Sequence, residues 1–278
     1  MQNELTRYLD HETRIAVVIA DCTAAAGELA RAHLSGPTAS CYLARALAGV
    51  ALLGSEASTP DEAVTFKLDC PGPLGGFLVE ATGAGTLRGY TKIKVLNDFD
   101  GMGAPKDLSV LGPTGTFEVV RSVPGKILAS GAVAVDNCSV ASGLEAYFTQ
   151  SLQRRVAVAL AGIAGDDGVP SIAKGIMAEC PPDGDEKAFE NVAAEITLLG
   201  RKAETALAVS DRNLLSKIGL AHAEPRGTSP LSFACRCSRE RASAMLAAIP
   251  MEERKSLPPT IDVTCHMCGR TWTVPTAG

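Results

Sequence analysis

Phe233-Ala-Cys-Arg-Cys-Ser-Arg-Glu-Arg241 and Ile261-Asp-Val-Thr-Cys-His-Met-Cys268 are the stretches from which the rest of the chain is read. They hold two close cysteine pairs, Cys235 with Cys237 and Cys265 with Cys268. Four thiolates brought together in this way are a donor set for Zn²⁺, which accepts four sulfurs in a tetrahedron at about 2.3 Å. The segment between the pairs is too short to bury much core, so metal binding supplies most of its folding free energy. A thioredoxin-like redox pair is the competing reading of Cys265 and Cys268, but it requires a preceding strand and a following helix. Here Ile261, Val263, Trp272 and Val274 alternate as in a hairpin, with the Cys-x-x-Cys at its turn.

Working outward, the 278 residues allow one large domain and one or two small ones. Hydrophobic residues make up 46% and charged residues 21%, which excludes a disordered chain. The net charge of −5, without clustered Lys and Arg, argues against binding to a phosphate backbone. Nine cysteines are an odd number for a fully paired secreted framework. No signal peptide is legible at the start, and no run approaches the roughly 18 apolar residues of a membrane span. A reducing cytoplasm is the expected compartment.

Ahead of the cysteines, the pattern predicts helices packed on a mainly antiparallel sheet, an α+β fold. Strands are expected at 14–20, 64–68, 77–81, 87–91, 116–120, 127–135, 156–163 and 171–177. Helices are expected at 23–34, 40–53 and 139–153. From residue 181 the composition shifts. A helix over 187–199 puts Phe189, Val192, Ala193, Ile196 and Leu199 on one face, with Gly200 as its stop, and a second helix is expected over 204–218. The organisation is therefore an N-terminal α+β core at 1–180, a helical linker at 181–230 and a small four-cysteine zinc-binding domain at 231–278.

Other candidate sites are weaker. Asp98-Phe-Asp-Gly-Met-Gly103 lacks the third ligand position and the closing Glu of a Ca²⁺ loop. The glycine turns at 72–76 and 83–85 match no nucleotide fingerprint and suit hairpins. His11, His33, His222 and His266 form no metal pair, and no Gly-x-Ser-x-Gly elbow is present, so no catalytic residue is assigned and the protein is not expected to be an enzyme. His266 is expected to be exposed. Cys22, Cys41, Cys70, Cys138 and Cys180 are read as small buried hydrophobes. Arg236, Arg239, Arg241 and Arg270 are the nearby charges that can offset four thiolates.

The Cys-x-Cys-Ser-Arg-Glu-Arg string with the later Cys-His-Met-Cys resembles the zinc-binding end of the Hsp33 family, the redox-regulated holdase chaperones. Ser40-Cys-Tyr-Leu-Ala-Arg-Ala-Leu-Ala-Gly-Val50, the Gly72-Pro-Leu-Gly turn with Leu87-Arg-Gly-Tyr90, and Leu144-Glu-Ala-Tyr-Phe-Thr-Gln-Ser151 are similar to that family as well. Two places depart from its usual pattern: Ser151-Leu-Gln153 in place of Ser-Glu-Gln, and Pro258-Pro259 in place of a more Gly-like turn.

In such a centre one Zn²⁺ per chain holds the cysteines as thiolates, the form that peroxide attacks. Oxidation to Cys265–Cys268 and Cys235–Cys237 disulfides then releases the metal and unfolds the small domain. The resemblance further implies that the linker loosens and that apolar surface is uncovered. It implies capture of unfolding client proteins without ATP, and a homodimer as the oxidised form. The alternatives are a constitutive zinc-ribbon interaction module and a thiol oxidoreductase. Neither a nucleic-acid nor a membrane partner is expected.

Overall fold

The computed structural model describes residues 3–101 and 106–276. Residues 102 and 103 of the discounted Asp98–Gly103 loop, and the first two and last two residues of the chain, therefore lie outside the described residues.

The chain opens with β1 (Glu4–Leu9) and β2 (Ala16–Asp21), then α1 (Thr23–His33) and α2 (Pro37–Gly54). Strands β3 (Ala63–Asp69), β4 (Gly76–Thr82) and β5 (Thr86–Thr91) follow, then the short α3 (Asp107–Val110). Next come the long hairpin β6 (Thr114–Val123) and β7 (Lys126–Asp136), α4 (Val140–Ala146) with one π-helical turn at Tyr147–Ser151, and the pair β8 (Arg155–Ala164) and β9 (Pro170–Cys180). After these come α5 (Glu186–Arg201), α6 (Ala203–Ala206), α7 (Asp211–Lys217), β10 (Glu224–Pro230) and β11 (Ser232–Phe233). The tail holds α8 (Arg239–Ala247), α9 (Met251–Arg254), β12 (Thr260–Thr264) and β13 (Thr271–Pro275).

Two sheets carry the N-terminal part. The first runs β10-β1-β2-β9-β8 and the second β11-β5-β4-β3-β6-β7. Apart from Arg45, helix α2 is apolar around most of its circumference, so it must be enclosed. It lies between the sheets, against β8 and β9 on one side and β4 and β5 on the other. Its approach to β8 is close: a Cβ at Gly162 would come within 2.2 Å of the Cys41 carbonyl oxygen. The core there is built on Leu43, Leu47, Phe66, Phe77 and Phe117, with Phe66 and Phe117 stacked at 5.2 Å between ring centroids.

The far side of the first sheet is also apolar, with Val17, Ile19 and Ile176. Helix α5 covers it. Asp185 caps that helix by accepting from the Ala188 N–H at 2.9 Å, and Phe189, Val192, Ile196 and Leu199 face the sheet. The fold is α+β with antiparallel sheets, as the pattern predicts.

Several elements differ from expectation. Gly200 does not stop α5, which runs to Arg201. The second linker helix is split, because Ser210 caps a separate α7 by accepting from the Asn213 N–H. The helix from Ser139 changes to a π turn at Tyr147. Strands β1 and β10 are additions, and β10 pairs antiparallel with β1, so residues 224–230 of the linker are strand rather than helix.

Candidate metal centre and its seat on the second sheet

The tail has little core of its own. Ala242, Leu246 and Val274 are its buried members, with Trp272, Val263 and Leu257 packed around them. Within it β12 and β13 form the expected hairpin, pairing Ile261 with Val274 and Val263 with Trp272. The turn carries Cys265 and Cys268. The Cys265 N–H donates to the Arg270 carbonyl at 2.9 Å, and the Gly269 N–H donates back to the Cys265 carbonyl at 2.9 Å. Gly269 closes the turn at φ +70, the left-handed region that glycine enters at no cost. Cys235 and Cys237 arrive on the segment between β11 and α8, and Ser238 caps α8 by accepting from the Arg241 N–H.

This brings the four cysteines together, with all four sulfurs within 4.8 Å of one another. Cys235 and Cys265 Sγ are 3.8 Å apart, and Cys237 and Cys268 Sγ are 3.4 Å apart. A tetrahedron with metal–sulfur bonds of about 2.3 Å has edges of about 3.8 Å, so the spacing suits one ion. Thiolates select soft or borderline metals, and a four-sulfur set fits Zn²⁺. His266 is exposed, edge-on to Tyr90 at 5.7 Å between centroids, and stands outside the cluster. Of the remaining cysteines, Cys22, Cys138 and Cys180 are buried, whereas Cys41 and Cys70 are only half-buried.

The centre is seated on β5. Arg88 of that strand donates from Nη1 to Cys235 Sγ at 3.7 Å. Glu80 on β4 grips Arg88 through both carboxylate oxygens, each at 2.9 Å, and accepts from Arg236 at 2.6 Å. The Glu80 side chain is only 10% exposed, so its pair with Arg88 is well desolvated, whereas Arg236 reaches it from a half-exposed position. Of the nearby arginines singled out from the sequence, Arg236 turns to Glu80 and Arg270 lies over the Trp272 ring. The guanidinium on a cluster sulfur belongs instead to Arg88, a residue that sequence proximity misses. Its signal was present in the Leu87-Arg-Gly-Tyr90 string.

Burial opposes ionisation of Cys235, but the Cys237 backbone N–H and Arg88 outweigh it and bring the thiol down to about 7. Burial pushes the Cys265 and Cys268 thiols up.

Backbone contacts complete the seat. The Ser232 N–H donates to the Gly85 carbonyl at 2.9 Å, and the Ala234 N–H to the Leu87 carbonyl at 3.2 Å. The Gly89 N–H donates to the Met267 carbonyl at 3.1 Å. His33, at the end of α1, lies 2.9 Å through Nε2 from the Gly89 carbonyl, so Nε2 carries the proton. Among the described residues no helix is long and apolar enough to cross a membrane.

The model of the Hsp33 protein family matches residues 3–275. Similar proteins include the 33 kDa chaperonin of Geobacillus sp. (strain WCH70), 26% identical over 98% of this chain and 94% of that protein. The 33 kDa chaperonins of Thermus thermophilus and Symbiobacterium thermophilum are each 30% identical over 96% of this chain, covering 83% and 92% of their own lengths. The fold is similar to the crystal structure of the 33 kDa chaperonin (heat shock protein 33 homolog) from Thermotoga maritima. The TM-score is 0.87 at 20% identity, over 99% of this chain and 96% of that one. With the match running through both sheets, helices α5 to α7 and the four-cysteine tail, this chain belongs to the Hsp33 family of chaperones.

Proposed function

We propose that the protein is a redox-regulated, ATP-independent holdase that works in the cytoplasm and binds unfolding proteins rather than turning over a substrate. The observation that carries this reading is the pairing of a four-sulfur cluster with a tail of almost no core, seated on the second sheet.

Cys235, Cys237, Cys265 and Cys268 would hold one Zn²⁺. When bound, that ion ties the two arms of the tail together and keeps the sulfurs as thiolates. A thiolate attacks peroxide, forms a sulfenic acid and releases hydroxide. A second thiolate then displaces hydroxide from that sulfur to give the disulfide.

Sulfurs of different arms lie as near as 3.4 and 3.8 Å, so proximity in the reduced cluster does not by itself select partners. The proposed pairs are Cys265–Cys268 and Cys235–Cys237. Each uses sulfurs of one arm, so neither tethers the arms to each other. A tail without the cross-arm tie has only its small cluster around Leu246 and Val274 to hold it.

The proposed units are a core at 1–180, a linker at 181–230 and the switch at 231–278. Loss of the tail would free the linker in turn and uncover apolar surface on the first sheet and α5. The oxidised form is proposed to be a homodimer.

The test is peroxide with mild heat. It is expected to release one Zn²⁺ per chain, consume four thiols and switch on suppression of client aggregation. Equal suppression by the reduced, metal-loaded protein would overturn the switch. A constitutive zinc-ribbon module would show no change on oxidation, and a thiol oxidoreductase would turn over without zinc.

A further inference from the structure

Sheet edges present unpaired backbone donors and acceptors to any extended chain, so proteins protect them. Two of the outer edges here are protected by their own sequence. Strand β10 carries Pro225 and Pro230. Strand β7 is interrupted by an extra residue, Leu128, where the register with β6 shifts. Strand β5 has neither device. It holds no proline, pairs with β4 in unbroken register from Leu87 to Thr91, and its side chains alternate between core and surface.

Its outer edge is protected by something else, the chain's own tail. Ser232 and Phe233 run parallel to it opposite Thr86 and Leu87. The Ser232 and Ala234 N–H groups fill the Gly85 and Leu87 carbonyls, and the Met267 carbonyl takes the Gly89 N–H. Leu231 is buried in the main core and Phe233 packs against it, so alternate side chains of the covering segment are apolar. The cover is therefore an extended strand with an apolar residue at every second position, held by the same tail that carries the cysteine cluster.

We propose that the β5 edge is a docking strand for client proteins: an extended client segment with alternating apolar residues takes the place of residues 231–234 once the tail has left. This rests on the redox-switch reading and specifies its partner. Clients would be held by strand addition, in which backbone hydrogen bonds supply affinity without regard to sequence and the Leu231 and Phe233 positions supply the apolar preference. An unfolding protein offers such strands, whereas a folded one has already paired them.

The probe is a fluorescent, end-capped peptide with the sequence of residues 228–234, added to full-length protein and read by anisotropy. Two further versions separate backbone from side-chain recognition. One is N-methylated at the positions of Ser232 and Ala234, whose N–H groups make the edge pairs. The other is N-methylated at the position of Phe233, whose N–H does not serve those carbonyls. The tethered tail competes equally with every version, so comparison among the peptides is unaffected.

The expected result is binding to the peroxide-oxidised protein and none to the reduced, metal-loaded protein. The doubly methylated peptide should bind roughly tenfold more weakly or worse, and the singly methylated one within about threefold of the parent. The Cys265→Ser/Cys268→Ser variant, which loses two of the four metal ligands and is expected to open without oxidant, should bind the parent peptide in the same way. Equal affinity of all three peptides, equal binding to the reduced protein, or no binding to either opened form would overturn the docking edge. Client aggregation measured on the same samples separates the two ideas. Oxidised protein that suppresses aggregation but ignores the peptide refutes the edge and leaves the switch. A cysteine variant that binds the peptide while oxidation changes nothing refutes the switch and leaves the edge.

Discussion

The backbone N–H of Gly89 donates to the carbonyl oxygen of Met267, 3.1 Å away and inside the Cys-x-x-Cys turn. A main-chain bond thus joins the turn that carries two of the four sulfurs to a strand of the core. The geometry of that turn is therefore felt directly by β5.

Gly269 makes this contact possible. A Cβ there would stand 2.2 Å from the Ala32 carbonyl oxygen, on a backbone at φ +70. Gly269→Ala is expected to lift the turn off α1 and to cost more than the ~1–2 kcal/mol of left-handed strain alone. Metal loss to a colorimetric chelator should become faster in the reduced variant, while the far-ultraviolet circular dichroism of the core stays close to that of the parent.

Glu80 holds two arginines at the seat. Glu80→Ala leaves Arg88 and Arg236 without their carboxylate in a partly desolvated position, a change that typically costs on the order of 3 kcal/mol. Peroxide should then release metal from the variant faster than from the parent. Glu80→Gln, which keeps the shape but not the charge, should fall between the two.

The segment proposed as the linker has its own polar tie. Lys174 on β9 is buried and donates to the Val209 carbonyl at 2.8 Å and to Asp211 at 2.9 Å, and Tyr8 donates to the same carboxylate at 3.0 Å. Asp211→Ala strands a buried ammonium and should raise proteolytic cutting within 181–230 in the reduced protein. Adding Lys174→Met should restore most of the resistance, because removing both partners of a buried pair costs far less than removing one.

His33 gives the docked state a pH dependence. Burial holds its imidazole below the ordinary 6.5, against the opposing pull of the Gly89 carbonyl, and Lys94 and His266 add to the lowering. A base whose pKa is lowered by folding binds its proton more readily once released. Its neutral form therefore supports the docked state fully above 6.5, and that support is lost as the pH falls from 6.5 toward the folded value. Thermal unfolding of the reduced protein should shift to lower temperature across that window. In His33→Asn the shift should flatten.

Much of this was legible in the sequence. The four cysteines, the hairpin that carries two of them, the stripe of α5 and the alternation of β3 to β5 follow from spacing and periodicity alone. Strand β10 was not legible, because Glu-Pro-Arg-Gly-Thr-Ser-Pro has no apolar alternation and becomes a strand only by pairing with β1, more than 200 residues away in sequence. The seat was hidden for the same reason. Arg88, Glu80 and the Met267 carbonyl act across long separations, and a main-chain carbonyl leaves no mark in side-chain pattern. The split between α6 and α7 was readable in principle, since Ser210-Asp211 is a capping signal, but the apolar spacing of Leu207, Leu214 and Ile218 masked it.

Hydrogen exchange at the Gly89 amide tests the central claim most directly. In the reduced, metal-loaded protein this amide should be protected, as should the Val119 amide in the interior of the same sheet. After peroxide has joined the four sulfurs in pairs, Gly89 should exchange at close to the rate of an open chain while Val119 stays protected. Retained protection at Gly89 with all four sulfurs oxidised would contradict the account.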